Sequence, residues 1–217
     1  MILYDYYRSS ASYRIRIALN LKSLSYRQLP VNLVAAEQSK TAHQQLNTQQ
    51  LVPVLVDGDT NLTQSLAICE YLDEAYPQSF ALITGNPKQR CVIRAFALAI
   101  ACEIHPVNNL RVLKYLQADM KVDEASKTQW YQHWVNTTFT ALERQLSQRT
   151  NTSPFCFGDQ PTLADVCLIP QIYNAKRFEV DMSQYPLLLD IDRNCQAIDA
   201  FAKAHPDYLP KIKIPLK

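Results

Sequence analysis

The sequence predicts an α/β domain followed by an all-α domain. Short apolar runs bounded by turn residues, the mark of strands, occur only in the first third of the chain, where they alternate with stretches of helical period. Beyond Asn86 strand signals fade and long amphipathic helical patterns take over. Three glycines against twelve prolines, with Leu, Ala and Gln abundant, fit a mostly helical protein with stiff connections. A chain of 217 residues buries a core either as one large domain or as two small ones. The change of pattern falls in SFALITGNP (79–87) and gives domains 1–83 and 84–217.

MILYDY is a short apolar run ending at polar residues, as a buried first strand should be. The stretch that follows reads two ways. Tyr13, Ile15 and Ile17 alternate with Arg14 and Arg16 as in a strand, whereas Tyr13, Ile17, Ala18 and Leu21 keep to one helical face behind a row of N-capping serines. Length and an Ala/Leu-rich end decide for helix, with Arg14 and Arg16 as helix-flank charges. SYRQLPV (25–31) is a second strand and AAEQSKTAHQQLN (35–47) a second helix. LVPVLVDGDTNLTQSLAICEYLDEAYP then gives a strand, an Asp57-Gly58 hairpin turn, a short strand and a helix from Ser65. That helix sets Ala67, Ile68, Tyr71, Leu72 and Ala75 on one side and leaves Glu70, Asp73 and Glu74 to solvent.

In the second domain, PKQRCVIRAFALAIACEIHPVNNLRVLKYLQADM reads as one long helix kinked at Pro106, whose ring collides with the preceding turn. KVDEASKTQWYQHWVNTTFTALERQLSQ is another long helix. After the loop RTNTSPFCFGDQ, a Thr162–Asp165 capping box behind Pro161 opens PTLADVCLIPQIYNAKRF. A further helix follows Tyr185-Pro186, and the tail HPDYLPKIKIPLK is Pro-broken and basic.

Composition excludes several functions. With 22 basic and 20 acidic residues, net +2, bulk binding to nucleic acid or a membrane surface is not expected. Three glycines leave no Gly-rich phosphate loop, and no His/Cys/Asp cluster has metal-ligand spacing. The most apolar stretch, Val92 to Cys102, carries Arg94 and is too short for a bilayer; Met1 leads straight into Ile-Leu-Tyr without a basic leader. The six cysteines form no C-x-x-C pair and sit mostly in apolar stretches, as buried reduced thiols of a cytoplasmic protein do.

One stretch draws attention as a site. Directly after the first strand come Arg8, Ser9, Ser10 and Ser12, yet no Cys or His is near and no base stands beside the hydroxyls. From the residues alone, Ser9 and Ser10 are either ordinary N-caps or donors to an anion held at the helix start. Taken singly, Pro53 reads as trans, Ser65 as a cap, Arg111 as a solvated charge and His105 as a core histidine.

Together these segments resemble a known family. RSSASYRIRIALNLK is similar to the R-S-S-C-x-W-R-V-R-I-A-L signature of the zeta-class glutathione transferases, the maleylacetoacetate isomerases. LVPVL, QSLAICEYL, IHPVNNLRVL, PTLADVCLIPQ and NAKRFEVDM resemble further zeta segments in order, so the similarity runs from about residue 2 to 207. Ala11 stands where the signature often has Cys, and Tyr13 where it has Trp.

The resemblance implies the glutathione transferase fold: a thioredoxin-like, glutathione-binding N-terminal domain and an all-helical, substrate-binding C-terminal domain. It implies glutathione as cofactor, whose own thiol makes a protein nucleophile unnecessary. Ser9 would be the catalytic serine, with Ser10 and Arg8 beside it. The Val52-Pro53 bond would be cis, turning the Val52 N–H and C=O toward the cysteinyl backbone of glutathione, and Gln64 and Ser65 would cradle its γ-glutamyl carboxylate. Arg8 and Arg177 would grip the substrate's carboxylates, with Arg111, Asn108 and His105 lining the pocket.

The implied reaction is isomerisation of maleylacetoacetate to fumarylacetoacetate in tyrosine and phenylalanine breakdown: a thiolate adds to the cis double bond, rotation follows, and its expulsion leaves the trans alkene. A homodimer is implied as well. Maleylpyruvate isomerisation is the nearest alternative, supported by HPVNN and Arg111. A general glutathione transferase or haloacid dehalogenase follows it, and then a non-catalytic binding protein, against which Ser9, Val52-Pro53 and Gln64-Ser65 stand.

Overall fold

β1 (Ile2–Asp5) is an interior strand. It runs parallel to β2 (Arg27–Pro30), Ile2 opposite Arg27, and antiparallel to β3 (Val54–Asp57), Ile2 opposite Val56. β3 pairs in turn with antiparallel β4 (Thr60–Leu62), which gives a mixed sheet in the order β2-β1-β3-β4. The expected Asp57-Gly58 hairpin joins the last two, and Gly58 takes the left-handed φ of 57° that the turn needs. The computed structural model describes residues 1–150 and 152–209. It forms two units, Met1–Leu82 together with the stretch from Ala197 onward, and Ile83–Gln196.

In the first unit α1 (Ser10–Leu21) connects β1 to β2 and packs against α3 (Ser65–Ala75) and α9 (Asp199–Ala204). Neighbours on several sides explain its ambiguous pattern: Tyr13, Ile15, Ile17, Ala18 and Leu19 are all buried, so no polar face marks a helical period. Arg14 and Arg16 are therefore not flank charges; both are buried. Arg16 donates from Nη1 to Asp5 Oδ2 at 2.6 Å, from Nη2 to the Tyr7 carbonyl at 3.0 Å and from Nε to the Ala204 carbonyl at 3.0 Å. Gln28 Nε2 holds both oxygens of Asp5, at 3.0 and 2.9 Å.

The Ala204 bond, with Asn20 Nδ2 to the Ala200 carbonyl at 3.0 Å, attaches the stretch from Ala197 to the first unit rather than to the helical domain 84–217. No break in composition announces this, because the link is made by main-chain acceptors. The helix expected over 35–47 is also shorter. Ala36 at φ 53° and an extended Lys40 divide it into a short 3-10 turn, Glu37–Ser39, and α2 (Thr41–Leu46). On α3 the buried face is Ser65, Ile68, Cys69 and Leu72, with Ala67 and Ala75 exposed. Asp73 is an anchor, not a solvated charge: it accepts from Lys22 Nζ at 2.8 Å and from the Leu82 N–H at 3.0 Å.

The second unit is helical: α4 (Pro87–Leu98), α5 (Leu110–Ala118), α6 (Glu124–Ser147), α7 (Leu163–Arg177) and α8 (Pro186–Gln196). The chain is broken near Pro106, not kinked. After α4 a π-helical turn, Ala99–Ile104, widens the backbone, and the His105 N–H reaches back five residues to the Ile100 carbonyl at 3.1 Å. An extended Asn109 then starts α5. α7 is enclosed by α4 and α8, and its residues from Leu163 to Ile172 are all buried. The Thr162–Asp165 cap forms as expected, and Asp165 does more than cap. Its carboxylate also accepts from the Cys156 N–H at 2.8 Å, tying the preceding loop to α7. Burial pushes the Asp165 pKa up, while these hydrogen bonds pull it down.

Cys69, Cys156, Cys167 and Cys195 are buried; Cys91 and Cys102 are exposed, on the sides of α4 and the π turn that face away from the core. The tail expected to be Pro-broken and basic lies, from Pro210, outside the described residues. Among the described residues no helix is long and apolar enough to cross a membrane, and no group of three His, Cys, Asp or Glu side chains is placed to hold a metal.

Asp5→Ala removes the counter-charge of a fully buried guanidinium. The expected cost is about 3–5 kcal/mol, read as a lower urea midpoint at an unchanged m-value.

Candidate active site

The first unit assembles three turns. Ser9 is the N-cap of α1: its Oγ accepts from the Ser12 N–H at 3.3 Å and its own N–H donates to the Tyr6 carbonyl at 2.8 Å. No acidic residue occupies the first turn of α1, so the positive helix end at Ser9 is not neutralised locally. Ser10 is buried; Arg8 is exposed, its guanidinium 5.1 Å from the centroid of the Tyr7 ring.

The second turn is Leu51-Val52-Pro53, and the Val52-Pro53 peptide is cis, as the resemblance implied. His43 Nε2 and Asn47 Nδ2 lie 2.9 and 3.0 Å from the Leu51 carbonyl, clamping the turn from α2 and its C-terminal end. Val52 packs with Tyr6 and Tyr7, so this turn adjoins the one that carries Ser9. Neither the N–H nor the C=O of Val52 has a hydrogen-bond partner among the described residues.

Gln64 and Ser65 form the third turn. Gln64 stands at φ 65°, ψ 108°, a strained backbone for a residue with a Cβ, and its Nε2 donates to Gln49 Oε1 at 2.8 Å. Ser65 opens α3, and its Oγ accepts from Arg14 Nη1 at 3.2 Å. That bond joins the start of α3 to α1, so Ser9, Val52 and Ser65 belong to one connected framework.

The second unit holds the remaining candidates. Asn108 is buried, with Nδ2 on the Tyr131 carbonyl at 3.2 Å; His105 Nε2 faces Asn109 Nδ2 at 3.5 Å. Trp130 Nε1 bonds the Val107 carbonyl at 3.0 Å and fixes this turn to α6. Arg111 lies in the first turn of α5, exposed. Arg177 ends α7, exposed, with Nη1 on Asn174 Oδ1 at 2.9 Å. Its guanidinium sits 5.7 Å from the Phe178 centroid, and that ring stacks on Tyr131 at 3.6 Å. Burial pushes the Tyr131 hydroxyl up to about 12, which keeps it neutral. Asn108 and Arg177 thus meet around Tyr131, and Arg111 follows Asn108 by three residues, in the first turn of α5. Arg8, Arg111 and Arg177 have no carboxylate partner among the described residues.

Comparison with known proteins agrees with this arrangement. Residues 1–74 match the glutathione S-transferase N-terminal domain and residues 128–192 the glutathione S-transferase C-terminal domain. A probable maleylacetoacetate isomerase of Vibrio cholerae is 48% identical over 212 residues, covering 97% of each chain. The chain belongs to the zeta-class glutathione transferases.

Among solved zeta-class structures, a holo maleyl pyruvate isomerase superposes with a TM-score of 0.94 at 44% identity, covering 97% of this chain and 99% of that one. A maleylacetoacetate isomerase from Methylobacterium extorquens, solved with malonate and glutathione, gives 0.93 at 36% identity, covering 97% and 98%. The residues of this zeta-class chain fit glutathione on structural grounds of their own. An unpaired main-chain N–H and C=O on a buried residue is the mark of a ligand backbone, and Val52 offers that pair. At Ser65 an uncapped helix start and a neighbouring buried cation make a place for a carboxylate.

Sequence reasoning missed the supports of this site. His43 and Asn47 carry no signal except their polarity within a short helix, and Arg14 was hidden by the apparent flank pattern. The strain at Gln64 has a sequence clue only in the lack of Gly where the backbone needs one. Gln64→Gly is expected to raise stability by about 1 kcal/mol through relief of that strain. The same change should weaken glutathione binding severalfold; denaturant unfolding and calorimetric titration check the two effects.

Proposed function

We propose that this zeta-class transferase isomerises maleylacetoacetate to fumarylacetoacetate with glutathione as cofactor. The observation that carries the reading is Ser9, a hydroxyl at an unneutralised helix start in a turn with no reactive side chain of its own. Bound glutathione supplies a thiol sulfur, the nucleophile that adds to the double bond and leaves it again.

Every other task falls to the chain. The Ser9 Oγ accepts from the Ser12 N–H, which polarises the hydroxyl and leaves its proton to donate to an anion. A hydrogen bond to a charged group and the helix end together favour an anion there by about 3 kcal/mol, or about two pKa units. Ser10 extends the same helix start. The Val52 main chain and Ser65, with Gln64, orient the tripeptide. Arg8 and Arg177 are each read as a grip for a substrate carboxylate, since each is an exposed guanidinium whose planar fork has no acid of its own among the described residues. Such fixed charge stabilises the negative charge that develops on the substrate. Asn108 and His105 are read as shaping the pocket beside Tyr131.

Maleylpyruvate is the second reading. It is favoured by Arg111, exposed where α5 begins, and by the maleyl pyruvate isomerase among the solved relatives. We also infer a cytoplasmic homodimer. Six free thiols suit a reducing compartment, and α4 leaves Val92 and Leu98 exposed while Phe96 is used inside, edge-to-face with Phe157 at 5.5 Å.

Purified protein given maleylacetoacetate or maleylpyruvate, each with and without glutathione, tests the reading directly. Turnover only with glutathione and faster on maleylacetoacetate is expected; turnover without it, or none on either substrate, refutes it. Ser9→Ala is expected to lower kcat by about 10²–10³-fold with the unfolding midpoint within about 1 kcal/mol of wild type.

A further inference from the structure

The peptide unit between Leu51 and Val52 is held firmly at one end and bare at the other. Its carbonyl oxygen, on Leu51, lies 2.9 Å from His43 Nε2 and 3.0 Å from Asn47 Nδ2, and these two side chains are 5% and 6% exposed. A carbonyl can only accept, so His43 carries its proton on Nε2, and the two donors together use both lone pairs of the oxygen. The N–H of the same unit, on Val52, has no partner among the described residues, although Val52 is itself buried. One donor is enough to satisfy a buried carbonyl. The second, drawn from a buried imidazole, exceeds what the turn needs for its own hydrogen bonding.

Planarity connects the two ends. The Leu51–Val52 bond is trans, and in a trans peptide the C=O and N–H lie in one plane and point in opposite directions. Fixing the oxygen from α2 therefore fixes the direction of the Val52 N–H, which is aimed away from α2. The anchors sit at two places, one inside α2 and one at its C-cap, so the plane is kept from turning about the chain. Asn47 is in turn immobilised: its N–H donates to the His43 carbonyl at 2.9 Å, its Oδ1 accepts from the Gln49 N–H at 2.9 Å, and its carbonyl accepts from the Gln50 N–H at 3.0 Å. Two donors on the oxygen also polarise the peptide unit, which makes its N–H the stronger donor.

We propose that His43 is a positioning residue which, with Asn47, aims and strengthens the Val52 N–H as the donor to the cysteinyl carbonyl of the tripeptide. This rests on the reading of the Val52 main chain as the edge that orients glutathione. His43 never touches the ligand in this account. It acts through the Leu51 oxygen, across one rigid peptide unit, so that the protein selects a thiol whose chain continues past the cysteinyl carbonyl.

Calorimetric titration of wild type, His43→Phe and His43→Gln with glutathione and with γ-glutamylcysteamine tests the proposal. The second ligand keeps the thiol and the γ-glutamyl amide but ends before the cysteinyl carbonyl. Phe fills the place of the ring without a donor, whereas Gln can set an N–H where Nε2 stands. His43→Phe is expected to weaken glutathione about threefold to tenfold and to leave the affinity for γ-glutamylcysteamine unchanged. His43→Gln should recover most of the loss. The Val52 amide proton, followed by NMR, should move downfield when glutathione is added to wild type, and less so in His43→Phe. Equal losses for both ligands, or a Val52 signal that moves alike in the two proteins, overturns the proposal. A His43→Phe protein that fails to fold overturns it too, because His43 would then be a structural residue. Wild type that ignores glutathione refutes the proposed function instead, and wild type that binds both ligands equally refutes the Val52 docking edge. Undiminished glutathione binding in His43→Phe removes the His43 role alone.

Discussion

The Arg16 guanidinium, sealed from solvent with Asp5, is the constraint on which the first unit depends. It joins the end of β1, the Tyr7 carbonyl in the turn that follows, and the Ala204 carbonyl of α9. Taking two charges out of water is unfavourable, and only near-complete hydrogen bonding offsets it. Here that bonding is spread over three segments, so each is fixed relative to the others. Ser9 lies two residues beyond Tyr7 and inherits the precision. A hydroxyl on a freely solvated turn would not be held to the fraction of an ångström that the donor role proposed for Ser9 requires.

Around that anchor the protein leaves certain groups unsatisfied where a ligand can use them. Among the described residues the Val52 main chain, the first N–H groups of α3, and Nε and Nη2 of Arg14 lack partners, while the loop before α7 is tied down by Asp165. Gln64 holds an unfavourable backbone conformation at the same place. Unsatisfied donors and strain gathered in one region are what preorganisation for binding looks like before the ligand arrives.

How much of this was legible in the sequence depended on what each residue faces. Strands and hairpin were readable because short apolar runs met turn residues with clear roles, such as Asp57-Gly58. The capping box at Thr162 was readable because its logic is local. α1 was ambiguous because it is buried on several sides, and the same fact hid Arg14 and Arg16: a charge in a helix is placed outside by default, and only three-dimensional neighbours reverse that. Asp73 was misread for the same reason. The cis peptide at Val52-Pro53 came through family resemblance, as did the roles proposed for Ser9 and Ser65, since isolated turns of that composition are common. The break before Pro106 was expected as a kink; the wide π turn ahead of it left no trace in the hydrophobic pattern. The stretch from Ala197 looked like the end of the helical domain because backbone carbonyls, which do the joining, have no signature in side-chain type.

That last attachment bears on how the polypeptide matures. Arg16 is made early and its Ala204 partner near the end, so one of the guanidinium's three acceptors is missing until synthesis is almost complete. The unit whose translation begins first is consequently completed last, and a chain stalled before Ala197 would lack the stretch that supplies this acceptor.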